Sequence, residues 1–122
     1  PLQVRLYHCQ PEEHDRAVAW ISHLPVMTSA SLIAACLQEA DPTVQELARA
    51  LASSGFRDTS RVGGGNPELG VMMAQYNKEA LVRSLHTYRA VLDDVIGAIE
   101  QSHWSELETT LQQSQKARPR FL

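Results

Sequence analysis

The feature that most constrains this 122-residue chain is a run of apolar residues at heptad spacing. Leu81, Leu85, Tyr88, Leu92, Val95 and Ile99 step by 4, 3, 4, 3 and 4. That alternation places all six on one seam of a single helix. A seam of this length needs a facing helix to cover it, so the spacing predicts helix-on-helix packing.

The rest of the chain reads as further helices, five or six in all, separated by recognisable starts and stops. Pro11, Glu12 and Glu13 suit a first turn, where proline loses no hydrogen bond and carboxylates face the positive end of the dipole. Val18 and Ile21 continue that helix to Leu24, and Pro25 predicts a kink or a break. Helical spacing resumes through Met27, Ala30, Ala34 and Leu37 to about Ala40. The small residues from Ser29 to Ala35 leave room for another helix to come close. Asp41-Pro42 caps the next helix, with Val44, Leu47, Ala48 and Leu51 as its buried stripe and Gly55 as its stop. Residues 56–65 read as a loop with at most one helical turn. Asn66-Pro67 repeats the cap and opens a helix through Leu69, Met72, Met73 and Tyr76, with an irregularity near Asn77. After the seam, Trp104, Leu107 and Leu111 mark a last amphipathic helix, and Arg118-Pro119-Arg120 a frayed tail. The front differs: Leu2, Val4 and Leu6 alternate with Gln3, Arg5 and Tyr7, the period of a half-buried strand. One strand is not a sheet. It pairs with a copy of itself or, the better fit, ends a preceding domain. The fold class is therefore all-α with a residual N-terminal strand.

Composition sets bounds on function. Hydrophobic content of 43% and charged content of 20% are those of a globular domain. A net charge of −3 gives no reason to expect a nucleic-acid or anionic-membrane partner. No apolar run approaches the roughly eighteen residues of a membrane span, and the first ten residues lack the layout of a signal peptide. Cys9 and Cys36 have no metal-type spacing and read as reduced thiols of a cytoplasmic protein. The chain has no G-x-G-x-x-G, no phosphate-loop signature, no C-x-x-C and no H-E-x-x-H. No catalytic set, cofactor motif or metal site is complete within it.

Three stretches could carry chemistry. His14-Asp15 is an HD doublet, a motif known from metal-dependent phosphohydrolases, but those need further ligands to close the metal's shell. His23, nine residues on, falls on the opposite face of a straight helix. The simpler reading puts Asp15 at the helix dipole and packs His14 beside Val18 and Ile21. In Ser22-His23-Leu24-Pro25, the proline frees the carbonyl four residues earlier and opens a place for a side chain or ligand. Otherwise His23 is a satisfied core residue on the Ala19, Met27, Ala30 and Ala34 stripe. In Gly55-Phe56-Arg57-Asp58-Thr59-Ser60-Arg61, one helical turn would set two guanidinium groups four apart. Asp58 neutralises one; the other is left for an anion, and arginine's planar fork suits a carboxylate. A solvated charged loop is the alternative. Val62-Gly63-Gly64-Gly65 follows no strand, which argues against a phosphate loop and for a hinge or a close backbone approach.

Taken in order, Pro11-Glu-Glu-His-Asp-Arg-Ala-Val-Ala, Ile21-Ser-His-Leu-Pro, Gly55-Phe-Arg-Asp-Thr-Ser-Arg and a helix broken near Asn77 resemble one family. It is the C-terminal domain of prephenate and arogenate dehydrogenases, and the resemblance runs over nearly the whole chain. The wording around His-Leu-Pro-Val-Met and Arg-Val-Gly-Gly-Gly-Asn-Pro-Glu-Leu most resembles cyanobacterial arogenate dehydrogenases. The resemblance implies a helical dimerisation domain of the 6-phosphogluconate-dehydrogenase-like C-terminal type. Residues 1–10 would be the last strand and linker of a preceding Rossmann domain, and 11–122 the dimerisation and substrate-binding domain.

The resemblance also implies an activity. In the family, hydride passes from a cyclohexadienyl dicarboxylate to NAD or NADP as carbon dioxide leaves, giving hydroxyphenylpyruvate or tyrosine. The cofactor and the catalytic histidine belong to the Rossmann domain, so this domain alone would bind no cofactor and be inactive. By resemblance, Arg61 binds a substrate carboxylate with Asp58 beside it. Arg57, His23 and Val26 lie near the cleft, with Val26 favouring arogenate because many prephenate-using relatives have histidine there. His14 and Asp15 lie at the domain junction, and the Leu81–Ile99 helix forms a homodimer. The other reading is a structural helical dimerisation module with no substrate role, in which Arg57 and Arg61 merely pair with acids.

Overall fold

The computed structural model describes residues 8–122. Seven α-helices follow one another: α1 (Pro11–Val18), α2 (Leu24–Cys36), α3 (Pro42–Leu51), α4 (Ser54–Ser60), α5 (Pro67–Tyr76), α6 (Lys78–Glu100) and α7 (Trp104–Ala117). A π-helical turn, Ala19–His23, joins α1 to α2, and 3₁₀ turns occupy Val62–Gly64 and Arg118–Phe121. Among the described residues there is no strand, so the all-α expectation holds there. The strand expected from Leu2 lies outside the described residues except at His8 and Cys9, which have no regular structure.

The helix starts follow the cap chemistry read from the sequence. Asp41 Oδ1 accepts from Thr43 N at 2.9 Å and Asn66 Oδ1 from Glu68 N at 2.9 Å, each ahead of a first-turn proline. At α1, Gln10 N donates to Glu13 Oε1 at 2.8 Å. The helix ends differ from those expected. Gly55 does not end α3, which stops at Leu51 where Ala52 turns extended; Gly55 lies inside α4. Helix α2 ends at Cys36, short of Ala40, and Gln45 Nε2 takes up the freed carbonyl of Leu37 at 3.1 Å. The expected loop from Phe56 is largely α4 and a 3₁₀ turn, and the frayed tail is a 3₁₀ turn.

Pro25 does not break its helix. Leu24 N reaches back five residues to Ala19 O, the hydrogen bond of a π turn, and Pro25 then sits within the first turn of α2. Proline has no N–H to give and its ring crowds the carbonyl four residues back. Widening the preceding turn by one residue relieves both problems without ending the helix. The helix is therefore continuous over Pro11–Cys36, and an 18-residue window of it reaches a mean hydropathy of 1.4. By length and composition that could cross a membrane, contrary to the expectation from the sequence. Its polar residues His23 and Ser29, however, are hydrogen-bonded to other segments of the chain.

Two compact units divide the chain, one up to Ser84 and one from Leu85. In the first, α2 packs against α4 and the Val62–Gly64 turn, and α5 packs against the π turn. Its buried apolar side chains are Ala19, Leu24 and Leu81; Ser29, Asn77 and Ser84 are buried with them. In the second unit α7 returns after α6. Ser102 takes the left-handed conformation (φ 56°) and His103 N bonds to Ala98 O at 2.8 Å, closing the end of α6.

Large apolar residues remain exposed throughout. The α3 stripe expected to be buried is open, with Leu51 70% exposed. On the heptad seam only Leu81 is buried; Leu85 and Val95 are half-buried, and Tyr88, Leu92 and Ile99 are exposed.

Candidate functional site

The candidate site is organised by polar residues of the continuous first helix. The side chain of Ser29 is buried on α2. Its Oγ donates to Thr59 O at 2.7 Å and accepts from Gly63 N at 2.8 Å. One hydroxyl thus holds both ends of the segment that carries Arg61, at the end of α4 and at the turn after it. A buried hydroxyl without partners costs about 1–3 kcal/mol, so this arrangement is strongly selected over one that leaves it unpaired.

Gly63 explains how the turn comes so close. A Cβ built there would lie 2.4 Å from Ala30 N, 2.5 Å from Ser29 C and 2.7 Å from Ser29 Oγ. Two of those atoms are backbone and cannot give way. Of the two roles considered for the glycine run, Gly63 has the close approach. Its neighbour Gly64 faces open space. The small Ser and Ala residues of α2 do admit close neighbours: helix α4 packs there, and the Val62–Gly64 turn comes closest.

Arg57, Asp58 and Arg61 are exposed. The expected pairing of Asp58 with an arginine does not form: among the described residues none of the three takes part in an ion pair. In the short α4 and its 3₁₀ extension, the polar contacts are Ser60 Oγ to Phe56 O and the Ser29 bonds, which leave both guanidinium groups uncommitted. Val26 is half-buried one helical turn before Ala30. Together with Met27, Val62, Gly65 and Met73 it lines an open apolar groove of about 670 Å³.

His23 closes the π turn and is half-buried. The carboxamide of Asn77, at the junction of α5 and α6, sends Nδ2 to Asp15 O at 2.9 Å and to His23 Nδ1 at 3.2 Å. Asp15 and His23 are thus joined through Asn77, a link that the residue pattern, which marks Asn77 only as a helix irregularity, does not reveal. A short amide between two apolar helices was the available signal, since a buried amide must find partners. His14 does not pack beside Val18 and Ile21: its side chain is 65% exposed and its Nδ1 lies 3.5 Å from Asp15 Oδ1. Among the described residues no group of three His, Cys, Asp or Glu side chains is placed to hold a metal ion. Nor does the glycine stretch form a dinucleotide cradle. It is a 3₁₀ turn after a helix, with Gly63 backed against Ala30, whereas a pyrophosphate site needs a strand-to-helix turn with open backbone N–H groups.

Residues 10–113 match the family described as prephenate dehydrogenase, dimerization domain. The chain belongs to that family. It is 28% identical over 91 residues to prephenate dehydrogenase of Bacillus subtilis (strain 168), an alignment covering 75% of this chain and 24% of that protein. Its fold superposes on the crystal structure of Synechocystis arogenate dehydrogenase with a TM-score of 0.95 and 58% identity, over 98% of this chain and 43% of that one. The prephenate dehydrogenase from A. aeolicus, solved in complex with hydroxyphenyl propionate and NAD+, shares the fold with a TM-score of 0.83 at 22% identity, over 95% of this chain and 40% of that one. The chain therefore spans between a quarter and somewhat under half of the length of these relatives.

The packing of the turn makes one prediction. Gly63→Ala should destabilise the domain by about 1–3 kcal/mol, the cost of overfilling a packed site. Gly64→Ala, facing open space, should change stability by less than about 0.5 kcal/mol. Chemical-denaturation midpoints of the two variants check the difference; equal effects would mean that the close approach is not a constraint.

Proposed function

We propose that this chain is the C-terminal domain of an arogenate/prephenate dehydrogenase of tyrosine biosynthesis, supplying the dimer interface and a carboxylate-binding arginine to the active site. The observation that carries the reading is the likeness to Synechocystis arogenate dehydrogenase, 58% identical over 98% of this chain. The full-length cytoplasmic enzyme would take hydride and carbon dioxide from a cyclohexadienyl dicarboxylate. A preceding Rossmann domain would hold the NADP or NAD. In this reading the cofactor would belong to that domain, and residues 11–122 alone would be inactive.

Within this chain the proposed roles come from the family resemblance, and the placement of the residues supports them. Arg61 is the carboxylate ligand, held at the end of α4 by the Ser29 bonds and left without an internal counter-ion. Asp58 and Arg57 on the same turn tune its field. Val26 and His23, on either side of Pro25, face the substrate, and His14 with Asp15 marks the junction with the preceding domain. A planar guanidinium on an anchored turn binds a carboxylate through two parallel hydrogen bonds, and that orients the ring for hydride loss.

Arg61→Ala in the full-length enzyme should raise KM for the dicarboxylate roughly 10- to 150-fold, the equivalent of about 1.5–3 kcal/mol for a hydrogen bond to a charged group. Steady-state kinetics with each substrate check it, and unchanged KM would remove the substrate role.

Val26→His should shift kcat/KM towards prephenate relative to arogenate. A wild-type enzyme that already prefers prephenate would contradict the role given to Val26.

The dimer is assigned to the Leu81–Ile99 helix, whose Tyr88, Leu92 and Ile99 are exposed. Replacing Leu92 and Ile99 by Glu should convert a dimer to a monomer in sedimentation velocity. Loss of dimerisation with full kinetic effect of Arg61→Ala, or the converse, separates the substrate role from the reading of a purely structural module.

A further inference from the structure

We propose that Asn77 is a positioning residue that fixes His23 as the Nε2–H tautomer, so that His23 serves the site as a hydrogen-bond donor and not as a base. The kinetic part of this rests on the substrate reading above; the tautomer does not.

The tautomer follows from hydrogen-bond bookkeeping at one amide. The atom of Asn77 that lies 2.9 Å from Asp15 O must be nitrogen, because a backbone carbonyl only accepts. The second N–H of that same nitrogen points to His23 Nδ1 at 3.2 Å. The ring nitrogen facing it must present a lone pair. A neutral imidazole carries one N–H, which is then on Nε2. Reversing the amide to make Nδ1 the donor would set the carboxamide oxygen against Asp15 O.

The amide is not free to make that reversal by moving. Asn77 is 7% exposed and its backbone is held on both sides, N to Met73 O at 3.0 Å and O from Leu81 N at 2.9 Å. It stands where α5 ends and α6 begins, and its side chain grips the first helix at Asp15, before the π turn, and at His23, the turn's last residue. The same contact that sets the tautomer also sets the turn that carries the ring. Nε2 has no hydrogen bond to the protein among the described residues, so its N–H is the one His23 has to offer.

Histidine labelled with ¹⁵N in the ring and incorporated into the full-length enzyme tests this directly. The His23 resonance is assigned by its loss in His23→Gln, and spectra are recorded where imidazoles are neutral. The wild-type spectrum should show Nε2 protonated and Nδ1 bare. In Asn77→Asp, whose carboxylate has no N–H and accepts from the ring, Nδ1 should become protonated. KM for the dicarboxylate should rise roughly tenfold with kcat changed less, the pattern of a lost hydrogen bond to bound substrate. A wild-type ring protonated on Nδ1, or divided between tautomers, overturns the proposal, and this spectrum needs no variant to fold. Unchanged KM in a folded Asn77→Asp enzyme overturns the role given to His23. If Arg61→Ala is without effect while the tautomer is as stated, it is the substrate reading that fails, and the two are told apart.

Discussion

The hydroxyl of Ser29 is the contact on which the candidate site depends. It donates to Thr59 and accepts from Gly63, four residues apart in sequence and on either side of Arg61. Helix α4 has seven residues, too few to be stable by itself in water. What keeps it helical, and anchors the backbone that carries its arginines, is attachment to the long first helix. The attachment needs two small residues at once: a serine short enough to reach both partners, and a glycine with no Cβ to strike Ala30. Bulk at either position would separate the turn from α2 and let the arginines wander.

The same helix carries a second polar anchor six residues earlier. His23 and Ser29 are polar positions in a segment otherwise apolar enough to pass for a membrane span, and each has a partner elsewhere in the first unit. The desolvation cost of an unpaired polar group makes such positions the places where one segment can recognise another. Apolar contacts around them give adhesion but little register. The π turn between α1 and α2 belongs to this logic. It absorbs Pro25 and sets His23 at its end, where Asn77 reaches both the ring and Asp15 O.

Much of this was legible in the residues, and what was not has identifiable causes. Caps at Asp41 and Asn66 are local, made by a side chain and a backbone N–H two residues on, so sequence alone suffices for them. The break at Asn77 was legible for the same reason. Pro25 was misread because its penalty is local but its remedy is not. A π turn is costly in isolation and persists here with α5 packed against it and Asn77 bonded across it. Helix α4 was read as a loop because its stability comes from Ser29, some thirty residues away. Arg57, Asp58 and Arg61 were legible as a charged turn. Their mutual pairing does not form, since spacing of three or four permits an ion pair without requiring one, and exposed pairs are worth little.

The exposed apolar surface connects these local arrangements to assembly. Among the described residues the buried apolar side chains are Ala19, Leu24 and Leu81, while Leu51, Met72, Tyr88, Leu92 and Ile99 are all exposed. Fully covering one large exposed apolar side chain contributes about 1.5–3 kcal/mol, and because these five are on average about half exposed, covering them contributes roughly 4–8 kcal/mol. That is comparable with the whole stability of an ordinary domain. In the dimer reading, then, folding and association are one process, and the stability of the domain depends on protomer concentration. Such a division suits the two jobs proposed for the chain. Polar pins on the first helix hold the Arg61 turn and His23 in place within the protomer, where geometry has to be exact to a few tenths of an ångström. The apolar faces, which tolerate looser fit, are left to the partner.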